Sequence, residues 1–501
     1  MRLVTPDMIS AIDAYAEKRL DISTRALMER AGTAAANLVR QYVARGAFVV
    51  VLAGGGNNGG DGYALASELI SDYSVAVYDV FNKGQRSEAG KYHLERYKSM
   101  DGVVNIGTQN LYDDLARAGC VVDAIFGTGF SGEYPPVIEE IAAAINRSCA
   151  VKIAVDSIIG VDAYSGRVEP FAPKMTATLQ LSFIKCGIAS YPARDYVGEL
   201  ILDTLGIPEE KIAENFEFSY VLTDDAWAVR NLPERIPNSN KGTYGKALLA
   251  VGSERYKGAA HLALSAALRT GVGLVAHYGE AMVASELLRS YPEVIYIDSE
   301  KNALNAVSDS YGAILIGSGS GKSRELADLT VSLVQTEGPT VVIDADAINS
   351  IAEHYGKEVF KSAKRRVVLT PHPLEFSRIS GIPLEDIQAS RLTVAKSFAE
   401  ESGTVLVLKG AGTVVTDGKT VYINSTGTSA LAKAGSGDVL AGIAVSLIAQ
   451  SVPPLTASAL AAWLHGRAGD RLEKEYSSYG VTPSDLPKAA AKELARLFNN
   501  E

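Results

Sequence analysis

Two stretches of this sequence set a carboxylate where a Gly-rich turn runs into a helix, an arrangement suited to proton transfer beside a phosphate. In Ala434-Gly435-Ser436-Gly437-Asp438-Val-Leu-Ala-Gly442 the turn leads into an apolar helix. Bare backbone N–H groups there can hold a transferring phosphoryl group while Asp438 takes a proton from the attacking hydroxyl. Upstream, Lys409-Gly410-Ala411-Gly412-Thr413 adds a flexible loop and a cation for phosphates. In the first half, Gly54-Gly55-Gly56-Asn57-Asn58-Gly59-Gly60-Asp61-Gly62 follows a β-rich run and opens a helix, which makes an anion site of the helix N-terminus.

Asp123 and Asp156 each close a strand expected from its apolar run, at the edge where ligands gather in open α/β sheets. Carboxylates facing an anion loop repel the anion, so they imply a cation or a proton-transfer task, unless each simply caps a helix. The glycines also satisfy G-x-G-x-x-G, and Asp79 ends a later strand as a ribose-binding acid would, which keeps a nicotinamide dehydrogenase open. Positive φ in a tight turn is the plain structural account of the glycines. Gly317-Ser-Gly319-Ser-Gly321-Lys-Ser323 is one residue short of a P-loop, with Ile316 where the first Gly should stand, and is rejected as one. Asp344-Ala-Asp346 and Thr370-Pro-His372-Pro-Leu-Glu375 follow strands, and prolines on both sides hold His372 rigidly, which suits ligand contact or a structural role.

The elements that must carry these residues alternate in two series. A start capped by Thr5-Pro6-Asp7 predicts a helical region to about residue 44, then a strand at 48–52 and a helix at 63–70. Nearly continuous apolar runs at 74–80, 120–125, 152–155 and 178–183 read as strands covered on both faces, so a doubly wound parallel sheet is expected. Composition shifts at 206–240, and the alternation restarts with strands at 247–251, 313–316, 340–343, 366–369 and 405–408. A β-pair is expected at 413–416 and 421–423. The expectation is an α/β chain of two three-layer domains, residues 1–218 and 219–501.

The 501 residues suffice for two domains, and 47% hydrophobic with 21% charged residues is a globular composition. A formal charge of −10 disfavours broad contact with nucleic acid or an anionic membrane. Three cysteines without metal spacing argue against disulfides and zinc, and the N-terminus lacks a signal peptide, so a soluble cytoplasmic protein is expected.

Together these motifs resemble the bifunctional NAD(P)H-hydrate repair family over almost the whole chain. The first half is similar to the epimerase domain through Gly56 to Gly62, Asp123 with Gly127-Thr128-Gly129, Asp156, Gly160-Val-Asp162-Ala, Lys185-Cys-Gly187 and Tyr196-Val-Gly198. The second half resembles the ADP- or ATP-dependent dehydratase of the ribokinase-like superfamily. The segments that carry this are Lys241-Gly-Thr-Tyr-Gly245, Gly258-Ala259-Ala260, Asp344-Ala-Asp346, Thr370-Pro-His372-Pro, Lys409-Gly410 and Gly435-Ser-Gly437-Asp438. The implied folds are a Rossmann-like N-terminal and a ribokinase-like C-terminal domain.

The resemblance implies repair of reduced nicotinamide dinucleotides that have taken up water at carbon 6. For the first domain it implies Asp156 as general acid/base and Asn58 with Asp123 as potassium ligands. The dinucleotide would be cradled by Asn57, Asn58, Gly59, Gly60 and Asp61, and by Gly127, Thr128, Gly129, Phe130, Ser131, Gly132 and Glu133. For the second it implies Asp438 as base, Gly435, Ser436 and Gly437 as the anion hole, and Lys409, Gly410, Ala411, Gly412 and Thr413 as the nucleotide loop. Ala259, Gly319 and His372 would contact the hydrate, with ADP or ATP as donor and magnesium beside it. A homo-oligomer is expected. The chain departs from the family at Asp156-Ser157-Ile158-Ile159-Gly160, where Ile159 replaces a serine expected to help bind potassium, and at Ala434, where a glycine is usual. Other readings are a small-molecule kinase of the same superfamily, and a dehydratase whose first domain only binds dinucleotides.

Overall fold

The protein is described by a computed structural model over residues 1–81, 86–130 and 132–499. It divides into two compact units, Arg2–Ser219 and Tyr220–Glu501.

The first unit is built on a seven-stranded sheet: β1 (Phe48–Ala53), β2 (Ser74–Asp79), β3 (Val104–Ile106), β4 (Cys120–Ala124), β5 (Val151–Val155), β6 (Ala177–Leu181) and β7 (Glu199–Asp203). Their order is β3-β2-β1-β4-β5-β6-β7 and every pairing is parallel. Both faces are covered, as the apolar runs require: Val49, Val51 and Ala53 join one core cluster while Val50 and Leu52 join another. The doubly wound expectation is met. Order reverses between β1 and β4, so the loops after these strands flank a switch point, where ligands bind in such sheets.

The edge strands β3 and β7 are not among the expected strands, and two further local expectations differ. The first helical region is broken into α1 (Pro6–Arg19), capped by Thr5, and α2 (Thr24–Tyr42), capped by Ser23. The third helix, α3, begins at Asn57 rather than 63, so Asn57 to Asp61 form its first turns instead of a loop. Nor are its glycines there for positive φ, since none from 54 to 62 has it. They admit close packing. A Cβ on Gly54 would lie 1.8 Å from the Ile125 carbonyl oxygen, and one on Gly59 would lie 2.0 Å from that of Gly54.

In the second unit the strands are β8 (Tyr220–Thr223), β9 (Lys246–Ala250), β10 (Leu274–Gly279), β11 (Ile295–Asp298), β12 (Ala313–Ile316), β13 (Thr340–Ile343), β14 (Val367–Leu369), β15 (Val405–Leu408), β16 (Val414–Thr416) and β17 (Val421–Asn424). They run in the order β8-β17-β16-β15-β14-β13-β12-β9-β10-β11, with β16 antiparallel to both neighbours and the other pairs parallel. The expected pair is the antiparallel β16–β17. Here the switch point lies between β9 and β12. The helix Ser436–Ala449 is buried almost all round and packs so closely that a Cβ on Gly442 would lie 2.3 Å from the Ala263 carbonyl oxygen. The same core holds Trp227 and the fully buried Trp463. Among the described residues no helix is long and apolar enough to cross a membrane.

Candidate functional sites

At the switch point of the first unit, the Gly54 N–H donates to the Ala124 carbonyl at 3.1 Å and ties the Gly-rich turn to β4. Asn58, in the first turn of α3, donates through Nδ2 to the carbonyls of Phe126 (2.6 Å) and Val155 (2.9 Å). Its Oδ1 is buried without a partner. Asp123, inside β4, caps no helix: its carboxylate accepts the N–H groups of Ile125 (3.2 Å) and Ile159 (2.9 Å). Burial pushes its pKa up to about 7 against these two bonds. The orphaned Asn58 Oδ1 and the buried Asp123 carboxylate are oxygen donors of the chemistry that suits a monovalent cation. Ile159 adds no oxygen from its side chain, which is buried in the apolar cluster of this face.

Asp156 follows β5 with φ of 65°, a left-handed conformation that a non-glycine residue adopts only when its surroundings hold it there. Its N–H donates to the Leu179 carbonyl, its own carbonyl accepts from Gln180 Nε2, and Lys185 Nζ is ion-paired with Oδ1. Asp61 and Asp13 lie in the same electrostatic neighbourhood. Burial raises Asp61 well above the usual carboxylate range, helped by the charges of Asp156 and Asp13, and burial raises Asp13 to about 6. The 127–133 loop follows β4. Phe130 stacks on Phe126 at 4.1 Å and Tyr134 at 4.7 Å, Gly127, Thr128 and Phe130 are half-buried, and Gly129, Gly132 and Glu133 are exposed. Ser131 lies outside the described residues. Asp79 is buried in an ion pair with Arg86, an arrangement unlike an open ribose-binding acid.

In the second unit the loops after adjacent strands converge. Asp344, after β13 and only 1% exposed, accepts from Thr370 (2.6 Å) after β14, Ser318 (2.8 Å) after β12 and Lys409 Nζ (3.1 Å) after β15. Lys409 Nζ also lies 3.9 Å from Glu375. Burial alone would lower the Lys409 ammonium, but the charges of Asp344 and Glu375 outweigh it and leave its pKa raised. The anion turn is next to this cation: a Cβ on Gly437 would lie 3.2 Å from Lys409 Nζ. Gly435, at φ of 98°, caps the helix Ser436–Ala449. Asp438, in its first turn, is pushed up to about 7 by burial and by the charge of Asp344, against the opposite pull of Lys409. Its protonation therefore changes near neutrality, as a general base requires.

Ser436 Oγ is 3.0 Å from Nε2 of His465, which burial pushes down to about 4 and keeps neutral. His372 caps the helix Pro373–Ser380, its Nδ1 accepting from the N–H groups of Leu374 and Glu375 at 3.2 Å, while its side chain stays 46% exposed. The structural role is thus realised, and Nε2 lies 3.2 Å from Glu375 Oε1. Gly410 and Ala411 are exposed, Gly412 is half-buried, and Thr413 is buried, donating to the Gly410 carbonyl at 2.9 Å. At the switch point, Gly319 lies against Ala259, and an open cavity of about 760 Å³ is lined by Ser253 to Tyr256, Glu280 and Ser320 to Lys322. Among the described residues no group of three or more His, Cys, Asp or Glu is arranged to hold a metal ion.

Comparison with known proteins follows the same division. A family model described as NAD(P)H-hydrate dehydratase matches residues 247–492, and one described as YjeF-related protein N-terminus matches residues 24–187. The bifunctional NAD(P)H-hydrate repair enzyme Nnr of Moorella thermoacetica is 35% identical over 512 residues, a match covering 97% of this chain and 95% of that one. The chain belongs to the bifunctional NAD(P)H-hydrate repair enzyme family. The Nnr of Helicobacter pylori is 31% identical over 492 residues, covering 96% and 97% of the two chains. Among solved structures, the ADP/ATP-dependent NAD(P)H-hydrate dehydratase of Bacillus subtilis, co-crystallised with ATP/Mg2+, matches at 32% identity with a TM-score of 0.52, covering 55% of this chain and 98% of that one. The repair-family reading and the ribokinase-like C-terminal fold are thereby established.

Several residues stand in the sequence, some inside the motifs above, without any sign of the partners the fold gives them. Lys185 lies 29 residues beyond the aspartate it pairs with. Thr370 and Glu375 flank the histidine to which the prolines draw attention. His465 sits in a long apolar helix and Asp13 on the first helix.

Proposed function

We propose that the chain restores hydrated nicotinamide dinucleotides in two steps, residues 1–218 interconverting the R and S epimers and residues 219–501 dehydrating the S form at the expense of ADP or ATP. The observation that carries this reading is Asp438, a carboxylate that changes protonation near pH 7, set at a helix N-terminus beside Lys409. Asp438 takes the proton of the C6 hydroxyl as that oxygen attacks the terminal phosphorus of the nucleotide, and ADP leaves from ATP, or AMP from ADP. The ring-nitrogen lone pair then breaks the C6–O bond and expels phosphate. Loss of a proton from C5 regenerates the dihydropyridine, the oxygen of the added water leaving in the phosphate.

Gly435 and Gly437 direct backbone N–H groups at the transferring phosphoryl, while the N–H of Ser436 between them donates to the Lys433 carbonyl at 3.2 Å, and the Lys409–Thr413 loop receives the nucleotide. Ala259, Gly319 and His372 border the hydrate. Magnesium, present with ATP in the related Bacillus subtilis crystal, would offset phosphate charge here. In the first domain Asp156 takes the proton of the C6 hydroxyl as the C6–N1 bond of the hemiaminal opens and returns it when the ring closes on the other face. Asn57 to Asp61 and Gly127 to Glu133 cradle the dinucleotide. Potassium held by Asn58 and Asp123 would offset the charge of the dinucleotide phosphates. A reducing cytoplasm suits the three free cysteines.

The test is recovery of 340 nm absorbance from a mixture of R- and S-NADH hydrate with magnesium and ADP or ATP, with and without potassium. Complete recovery is expected. A stop at the S fraction would remove the epimerase half of the proposal, and no recovery with either nucleotide would remove the dehydratase half.

A further inference from the structure

Asp156 has two carboxylate oxygens, and the fold treats them differently. Oδ1 accepts from the ammonium of Lys185 and from the Leu181 N–H at 3.4 Å, whereas Oδ2 accepts no hydrogen bond from the described residues. Lys185 is 1% exposed and is itself fixed: Nζ donates to the Leu181 carbonyl at 3.0 Å, and its backbone N–H donates to Gln180 Oε1 at 3.0 Å. Gln180 in turn donates through Nε2 to the Asp156 carbonyl. A closed ring of bonds thus joins the end of β5, the end of β6 and Lys185 around a backbone at φ of 65°. The other titratable groups facing this ring are Asp13 from α1 and Asp61 from α3, so one ammonium serves three carboxylates.

We propose that Lys185 is the positioning residue of the epimerase site: by occupying Oδ1 of Asp156 it leaves Oδ2 as the oxygen that handles the substrate proton. This rests on the proposed role of Asp156. Lys185 need not touch the dinucleotide, and its aliphatic stem is buried, so its part is to hold the rotamer and charge of the residue that does.

The experiment follows R-NADH hydrate to the S epimer by chromatography without nucleotide, so that dehydration is silent, in the full-length protein and in Lys185→Met and Lys185→Arg. The expected result for Lys185→Met is a kcat lower by about 100-fold with KM within threefold of the parent. Lys185→Arg, which keeps a cation, should recover at least tenfold of that loss. Nucleotide-dependent dehydration of S-NADH hydrate by the same variants should be unchanged, and a far-ultraviolet dichroism melt that matches the parent reports that the first domain has folded. If Lys185→Met does not fold, Lys185→Arg carries the test, with kcat about tenfold below the parent expected at unchanged KM. A kcat within threefold of the parent in the variant tested, or a loss confined to KM, would overturn the proposal while leaving the assigned activity intact. Absence of epimerisation in the parent would instead remove the activity, and this proposal with it.

Discussion

Each domain buries one lysine among carboxylates, and the two lysines are used in opposite ways. In the first domain Lys185 is bonded to the proposed base itself, Asp156. In the second, Lys409 is bonded to Asp344, lies near Glu375, and reaches Asp438 only through space, leaving that base at about 7. The contrast follows the two reactions. A proton passed back and forth on one ring needs a carboxylate held in place, whereas phosphoryl transfer also needs a cation whose position does not depend on the base. The shared lesson is that where a lysine's partners sit decides what the lysine does.

The strongest way to break the comparison is Asp438→Asn. Dehydration should fall by about 10³-fold, read as phosphate release, while R-to-S epimerisation continues at the parental rate. Equal loss of both activities would show that the domains are not chemically separate. Lys409→Met comes next, with dehydration expected to fall by about 10- to 100-fold. With Asp438 as the proposed base, dehydration requires its ionised form, so the rate should rise with pH through about 7. Lys409 lowers the Asp438 pKa, so removing it should move that limb to higher pH. A limb that stays in place would mean that Lys409 does not act on Asp438.

Gly59→Ala sharpens the contrast from the other side. Its Cβ would meet the Gly54 carbonyl at 2.0 Å, so the first domain should lose about 2 kcal/mol of stability and with it epimerase rate, measured by thermal unfolding and chromatography, while dehydration is spared. The smallest effect is expected from His372→Asn. Asparagine keeps the helix cap that alanine would lose at a cost of about 1 kcal/mol, so stability should hold. A several-fold rise in KM for the S-hydrate would then report contact through the part of the side chain left exposed, and an unchanged KM would reduce His372 to a cap.

Much of the fold was legible because both sheets are made of short apolar runs separated by turn-rich segments. The central strands and the Asp438 turn stand in the sequence much as they stand in the structure, whereas β3, β7, β8, β10 and β11 are not legible there, since all but β10 are short, partly exposed strands without a continuous apolar run and β10 is interrupted by His277. The start of α3 was not legible, because glycines and asparagines weaken helical pattern, and here they serve close packing at 57–62 instead of turn geometry. The break at 20–23 was missed because amphipathic periodicity runs through both flanking helices. The Lys185–Asp156 pair, the bonds converging on Asp344 and the Ser436–His465 contact join residues 26 to 65 positions apart. The first two are decided by which strand ends are neighbours and the last by how two helices pack, properties of the fold that spacing along the chain does not encode.

The chain has two tryptophans, Trp227 and Trp463, and both lie in the core of the second domain. Its indole fluorescence therefore watches one domain and is blind to the other. Far-ultraviolet dichroism sees both, so a melt followed by the two signals side by side can assign each transition to its domain without cutting the chain or adding a label.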